Sequence, residues 1–155
     1  MQRTRFGDMT CSIARTLDVV GEPWTPLILR DIHVGVTRFD RLQQSLGISS
    51  KVLDERLKWL VHHGVLERRP YSTRPPRHDY ALTDKGRDLC DLLLVMARWG
   101  DRWTAGEAGP PVLYRHHACG RIAHVELHCS ECDQPMRVTD LDVLPGPGAA
   151  GAPSG

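Results

Sequence analysis

The stretch from Ser49 to Leu82, SSKVLDERLKWLVHHGVLERRPYSTRPPRHDYAL, runs through two periodicities in succession, and the change between them decides the fold. In its first half Leu53, Leu57, Leu60 and Val61 fall at i, i+4, i+7 and i+8, which is one face of a helix, and Ser49 stands where a capping hydroxyl is needed. Lys51, Glu55, Lys58 and His62 take the opposite face, flanked by Ser50 and Arg56. After Gly64 the pattern changes to two short strands, Val65 to Tyr71 and His78 to Leu82. The segment joining them, Ser72–Arg77, is too rich in proline to belong to the ladder and reads as a braced loop. A helix with short polar and basic side chains in its first turn, followed by a hairpin with arginines at its tip, suits the DNA major groove, which admits a single helix.

Working outward, Ile13, Leu17 and Val20 recur at helical spacing from Ser12, and Gly21 marks the stop. A second helix is predicted to start near Thr25, with Pro26 at the first helical position, where no backbone N–H is needed. Trp24, Leu27, Ile28 and Ile32 form its core stripe, and Gly35 breaks it. Thr37 can cap a third helix carrying Phe39, Leu42 and Leu46, which Gly47 ends. Thr83 can cap a last helix reaching Trp103. Its apolar set of Leu89, Leu92, Leu93, Met96, Trp99 and Trp103, widened by Cys90, Leu94 and Val95, exceeds what one domain face needs and predicts a helix shared with a second subunit. The expected fold is mainly α with a small β-hairpin wing, a winged helix-turn-helix of the α+β class. A small zinc-ribbon-like β-hairpin follows at the C-terminal side. The expected organisation is a flexible arm over 1–10, the winged-helix and dimerisation domain over 11–105, a linker over 106–113, a Cys/His segment over 114–144 and a disordered tail over 145–155. No internal repeat is evident.

At 155 residues the chain has room for one ordinary domain and a small appendage. The net charge of +1 is unevenly spread. From Lys51 to Tyr80 seven basic residues (Lys51, Arg56, Lys58, Arg68, Arg69, Arg74, Arg77) stand against four acids (Asp54, Glu55, Glu67, Asp79), with His62, His63 and His78 among them. Basic charge gathered on one feature is the electrostatic footprint of a nucleic-acid binder. No apolar run approaches the ~20 residues that span a bilayer, and the N-terminal residues lack the apolar segment of a signal peptide. The expectation is therefore a cytoplasmic protein associated with the nucleoid, in which five cysteines are free, metal-bound or redox-active rather than a disulfide framework.

Within the candidate DNA-reading site, Ser49, Ser50 and Lys51 occupy the first helical turn, where free N–H groups also suit a phosphate. Glu55 shares their face, and Arg56 and Lys58 are placed to hold backbone phosphates. Arg74 and Arg77 at the hairpin tip can enter the adjacent minor groove or grip phosphates, and Arg38 opens the preceding helix. An ordinary solvated face would also explain Lys51, Glu55 and Lys58. The basic, proline-braced loop has no comparable packing use.

The segments CSIARTLDVVGEPWTPLILRDI, RFDRLQQSLGISSKVLDERLKWLVHHGVLERR, PPRHDYALTDKG and ARWGDRW, in that order from Cys11 to Trp103, resemble the HxlR-type bacterial transcriptional regulators, relatives of the MarR regulators. Pro26 departs from the pattern, which has an apolar helix former there. The resemblance implies a homodimer, built by the first and last helices, that binds pseudo-palindromic double-stranded promoter DNA, with Ser49 to His63 as recognition helix and Ser72–Arg77 as wing. The leading expectation is a repressor that acts by occupying the promoter, and regulators of this type also respond to small-molecule or electrophile effectors. Some use an N-terminal cysteine to sense oxidants, and Cys11 is at the matching place. Cys11 also precedes the first helix, where the dipole and orphan N–H groups favour negative charge. A small apolar residue in a dimer seam is the alternative for Cys11, and plain core is the expectation for Cys90.

Beyond the resemblance, HHACG from His116 and CSECD from Cys129 form two knuckles, H-x2-C-G and C-x2-C, with strand character between Ile122 and Leu127. Two such turns face to face deliver the four N or S ligands of a structural zinc, here His116, Cys119, Cys129 and Cys132, with His117, His124 or His128 as alternatives to His116. Catalysis is not expected. His124-Val125-Glu126 lies too close to Cys129 for a zinc deaminase, Cys129 and Cys132 lack the βαβ setting of a thioredoxin, and no nucleophile motif is present. Two functional readings remain: a dimeric DNA-binding regulator, or a winged-helix module that binds protein through its ribbon without reading DNA.

Overall fold

The computed structural model describes residue 6 and residues 9–149. Its elements are α1 (Ser12–Val20), α2 (Trp24–His33), α3 (Phe39–Leu46), α4 (Ser50–His62), β1 (Leu66–Thr73), β2 (Pro76–Leu82) and α5 (Asp84–Trp103). Two-residue strands β3 (Tyr114–Arg115) and β4 (Ile122–Ala123) follow, with 3-10 turns at Val138–Asp140 and Pro147–Ala149. The chain divides into two units, Met1–Leu93 and Leu94–Gly155, with the boundary inside α5. Within the second unit, the Arg98 guanidinium on the last turns of α5 donates to the Val125 carbonyl at 2.5 Å. The arm expected over 1–10 lies mostly outside the described residues, and so does the tail from residue 150. Phe6 is described, and its N–H donates to Asp18 on α1 at 2.8 Å.

The first unit is a winged helix. Ile28 and Leu29 of α2, Leu42 of α3, and Leu53, Leu57 and Leu60 of α4 are fully buried together, and Val65 and Leu66 close the cluster below the wing. Burying each such side chain contributes about 1.5–3 kcal/mol, which is why the leucine spacing of α4 dictates its orientation. Val61, expected in that stripe, is only half-buried at its edge.

Two helix starts differ from expectation. α2 begins at Trp24, which moves Pro26 into the third helical position. That position is still within the first turn, whose N–H groups have no intrahelical acceptor, so proline loses nothing there. Glu22 tethers this end, its carboxylate accepting from the Trp24 N–H at 3.1 Å and its carbonyl from the Thr25 N–H at 3.0 Å. α3 is capped by Arg38 instead of Thr37, with no side-chain cap. The Thr37 carbonyl accepts from the Tyr80 N–H at 2.9 Å, and Arg38 bridges Asp79, so pairing with the wing overrides the local capping preference.

The wing itself is longer than its sequence suggests. The ladder runs from Leu66↔Leu82 out to Ser72↔Arg77 and Thr73↔Pro76, with an irregularity at Pro70–Ser72. Ser72–Arg77 is therefore mostly strand, and only Arg74 and Pro75 form the tip. A two-stranded ribbon has two open edges, so Pro70 and Pro76 can sit in it where a central strand would refuse them. Thr83 caps α5 as expected, its Oγ1 accepting from the Gly86 N–H at 3.1 Å and donating to the Gly64 carbonyl at 2.6 Å. Gly86 is obligatory here for a steric reason, because a Cβ would lie 2.2 Å from the Val65 carbonyl oxygen.

In the second unit β3 and β4 pair through Tyr114↔Ala123 and Arg115↔Ile122, and the strand expected to run from Ile122 to Leu127 ends after two residues. Among the described residues, no helix is long and apolar enough to cross a membrane.

Candidate nucleic-acid interface

The turn that aims α4 is built from Gly47, Ile48 and Ser49. Gly47 ends α3 at φ +64°, a left-handed conformation that favours glycine, and Ile48 is buried as an anchor. Ser49 is the N-cap of α4, its Oγ accepting from the Val52 N–H at 3.3 Å. This leaves Ser50 and Lys51 exposed in the first turn, with Glu55, Lys58 and His62 exposed further along the same helix.

Two of the predicted contact residues are less available than their sequence positions suggest. Lys58 is held by Asp54 one turn earlier, Nζ to Oδ2 at 2.7 Å. Arg56 is half-buried, with Nε and Nη1 enclosed and without hydrogen-bond partners. On the wing, every residue from Thr73 to Arg77 is exposed, including Arg74 and Arg77. Arg69 is paired with Glu67, and Arg68 Nη2 lies 3.2 Å from His78 Nδ1. Of the cations predicted to contact DNA, Lys51, Arg74 and Arg77 are exposed and make no ion pair among the described residues, which leaves them the most available of that set to an outside anion.

Arg38 takes a role that sequence reasoning did not anticipate. Its guanidinium lies 4.5 Å from the Tyr71 ring centroid and 3.5 Å from Asp79, fastening the start of α3 to both wing strands. An open cleft beside it is lined by Gly35, Thr37, Arg38, Arg41, Gln44 and Asp79. No local pattern marks this cluster, because its members are brought together only when the wing folds back.

Among the cysteines, Cys11 is the exposed N-cap residue of α1, while Cys90 is buried in the core, where desolvation and the neighbouring Asp91 push its thiol up. Cys119 Sγ lies 3.5 Å from His116 Nδ1. The Cys129 thiol is held below its usual range by the backbone N–H groups of Glu131 and Cys132 and by the Cys132 side chain. His124 and His128 both face the Glu126 carboxylate, and these contacts pull that carboxylate down. Among the described residues, no three His, Cys, Asp or Glu side chains converge as a metal-binding group.

Two helices carry exposed apolar side chains. α1 exposes Ile13 and Leu17, and α5 exposes Leu92, Met96, Trp99 and Trp103 at i, i+4, i+7 and i+11. Trp99 and Trp103 are 63% and 64% exposed, unusual values for the largest apolar side chains.

Residues 19–108 match the family model of the HxlR-like helix-turn-helix. An uncharacterized HTH-type transcriptional regulator of Mycobacterium tuberculosis is 44% identical over 137 residues, which cover 88% of this chain and 87% of the relative. The crystal structure of the candidate transcription factor PA1607 superposes with a TM-score of 0.81 at 34% identity, covering 91% of this chain and 99% of that one. The redox regulator HypR in its reduced form matches with a TM-score of 0.56 at 30% identity, over 59% of this chain and 92% of that one. The chain belongs to the HxlR-like helix-turn-helix family of transcriptional regulators, and not to a family of enzymes.

Proposed function

We propose that the protein is a homodimeric reader of pseudo-palindromic promoter DNA that acts as a repressor by occupying the promoter. The carrying observation is the pairing of a capped recognition helix, whose first turn offers Ser50 and Lys51 to solvent, with a wing tip that offers Arg74 and Arg77. In this reading Ser49 to Lys51 and Glu55 enter the major groove, and the wing arginines hold the flanking backbone or minor groove. Lys58 would have to leave Asp54 to reach a phosphate, and Arg38 and Arg56 support the interface from behind. The exposed stripes of α1 and α5 supply the dimer contact, and the dimer's two-fold axis sets the two readers against an inverted repeat.

Counterion release provides the test. The logarithm of DNA affinity should fall linearly with the logarithm of salt concentration, and Arg74→Ala and Arg77→Ala should each reduce the slope by about two, one phosphate contact per protomer. An affinity indifferent to salt in the wild-type chain would reject the reading.

One thiol is placed to control such a reader. Cys11 is exposed at the α1 terminus and Cys90 is buried, and HypR, a solved relative, is a redox regulator. We infer that oxidants or electrophiles release DNA through Cys11. Diamide should weaken DNA binding by the wild-type protein about tenfold or more, a free-energy change of ~1.4 kcal/mol or greater. Cys11→Ser should abolish that response and Cys90→Ser should leave it intact. An unchanged diamide response in Cys11→Ser would remove Cys11 from the mechanism.

A further inference from the structure

The segment after α5 hides a repeat. One small hairpin pairs Tyr114↔Ala123 and Arg115↔Ile122. The next bridges His128↔Pro135, and its Met136 N–H donates to the Leu127 carbonyl at 2.9 Å. From Arg115 to His128, and from Ile122 to Pro135, the shift is the same 13 residues. The turns repeat bond for bond. In the first, the His116 N–H donates to the Arg121 carbonyl at 2.9 Å and the Gly120 N–H to the His116 carbonyl at 2.7 Å. In the second, the Cys129 N–H donates to the Gln134 carbonyl at 2.9 Å and the Asp133 N–H to the Cys129 carbonyl at 2.9 Å. The residue four beyond each turn's start is left-handed, Gly120 at φ +68° and Asp133 at φ +56°. Asp133 is the only non-glycine residue with positive φ among the described residues, and aspartate is one of the few residues that take this conformation in place of glycine.

This repeat selects the donors without reference to their chemistry. Position one of each turn is His116 and Cys129, and position four is Cys119 and Cys132. His117, His124 and His128 fall at other positions of the repeat, and two of them have other partners: His124 Nε2 meets Glu126 Oε1 at 3.2 Å, and His128 Nδ1 meets the Asp133 carbonyl at 2.9 Å. A tetrahedral zinc binding one imidazole nitrogen and one thiolate holds them about 3.5–3.6 Å apart. His116 Nδ1 and Cys119 Sγ are 3.5 Å apart. Among the described residues from Val112 to Ala149 none is buried, so apolar packing does not hold this segment together.

We propose that His116, Cys119, Cys129 and Cys132 form a structural site for a zinc-class divalent cation, which joins the tips of the two repeated hairpins. Three thiolates and one imidazole complete a tetrahedral shell and leave no open position, so the ion is structural and activates no water. The two donor pairs stand apart in the structure, with no three donors converging among the described residues. Each pair is shaped by its own turn. Binding requires the two tips, joined by the three residues His124–Glu126, to come together, and cation binding supplies the folding free energy that the missing core does not.

The test uses the full chain, purified without chelators from cells grown with added zinc. Metal analysis should find one zinc per chain. After zinc removal, added cobalt(II) should produce the visible absorption and thiolate charge-transfer bands of a tetrahedral sulfur-rich site. Cys132→Ser and His116→Ala should lose the zinc and the cobalt bands while keeping the helical circular dichroism of the winged helix. His117→Ala, His124→Ala and His128→Ala should keep both. Wild-type protein with far less than one zinc and no tetrahedral cobalt spectrum would overturn the proposal whatever the variants do. Loss of the site in His128→Ala but not in His116→Ala would overturn the ligand set.

Discussion

Trp99→Asp should turn the protein from dimer to monomer at concentrations where the wild type is fully paired, and should weaken operator binding about 100-fold or more. Trp99 sits in the middle of the exposed stripe of α5, between Met96 and Trp103. Aromatic anchors at the centre of an interface commonly contribute 2 kcal/mol or more, and a carboxylate in the same place adds a desolvation cost to the lost packing. Two kcal/mol alone is about a 30-fold loss in dimer affinity. The effect on DNA is larger because linking two modest readers raises affinity by about 10²–10⁴ through effective concentration, and a monomer forfeits that gain. Light scattering reads the mass and fluorescence anisotropy on a labelled operator reads the binding. Leu17→Asp, on the α1 face, should act in the same direction. A Trp99→Asp variant that stays dimeric and binds normally would show that the stripe faces something other than a second copy.

Ser50→Ala and Lys51→Ala should act on specificity. Each lost base-edge contact is worth about 1–3 kcal/mol, roughly 5- to 150-fold, and a dimer loses it at both half-sites. Affinity for unrelated DNA should hardly change in Ser50→Ala and should fall only modestly in Lys51→Ala, because at most one phosphate contact per protomer is removed. Lys58→Ala should have a much smaller effect, since Lys58 is already engaged by Asp54 at 2.7 Å. Competition binding with operator and random fragments separates the two affinities. Equal losses on both kinds of DNA would move Ser50 and Lys51 from base reading to backbone positioning.

The parts of this fold that are legible in the sequence are those fixed by neighbours along the chain. Ser49 caps α4 because the N–H it satisfies is three residues away, and Leu53, Leu57 and Leu60 face the core because helical spacing puts them on one side. Thr83 and Gly47 mark helix ends for equally local reasons. Features set by distant partners were not legible. Thr37 fits a cap by composition, yet its carbonyl is claimed by Tyr80, and the wing's prolines suggest a loop because sequence alone does not reveal that this ribbon has two free edges. The same holds at the site, where the enclosure of Arg56 and the Arg38–Tyr71–Asp79 cluster depend on how the elements pack. The 13-residue repeat is not legible in the residues because YRHHACGRIA and LHCSECDQPM share a residue only at Cys119 and Cys132. What recurs is the backbone of the turn, which glycine adopts in one copy and aspartate in the other.

The most direct test of a symmetric DNA reader is selection of bound genomic fragments by the purified full-length protein at moderate salt. Enriched fragments should share an inverted repeat whose half-sites are centred one helical turn apart, about 10–10.5 base pairs, or a multiple of it. A variant with alanine at Ser50, Lys51, Arg74 and Arg77 should enrich none of them. If the wild type enriches nothing beyond that variant, or selects only a single unrepeated site, the protein is not the two-fold reader described above.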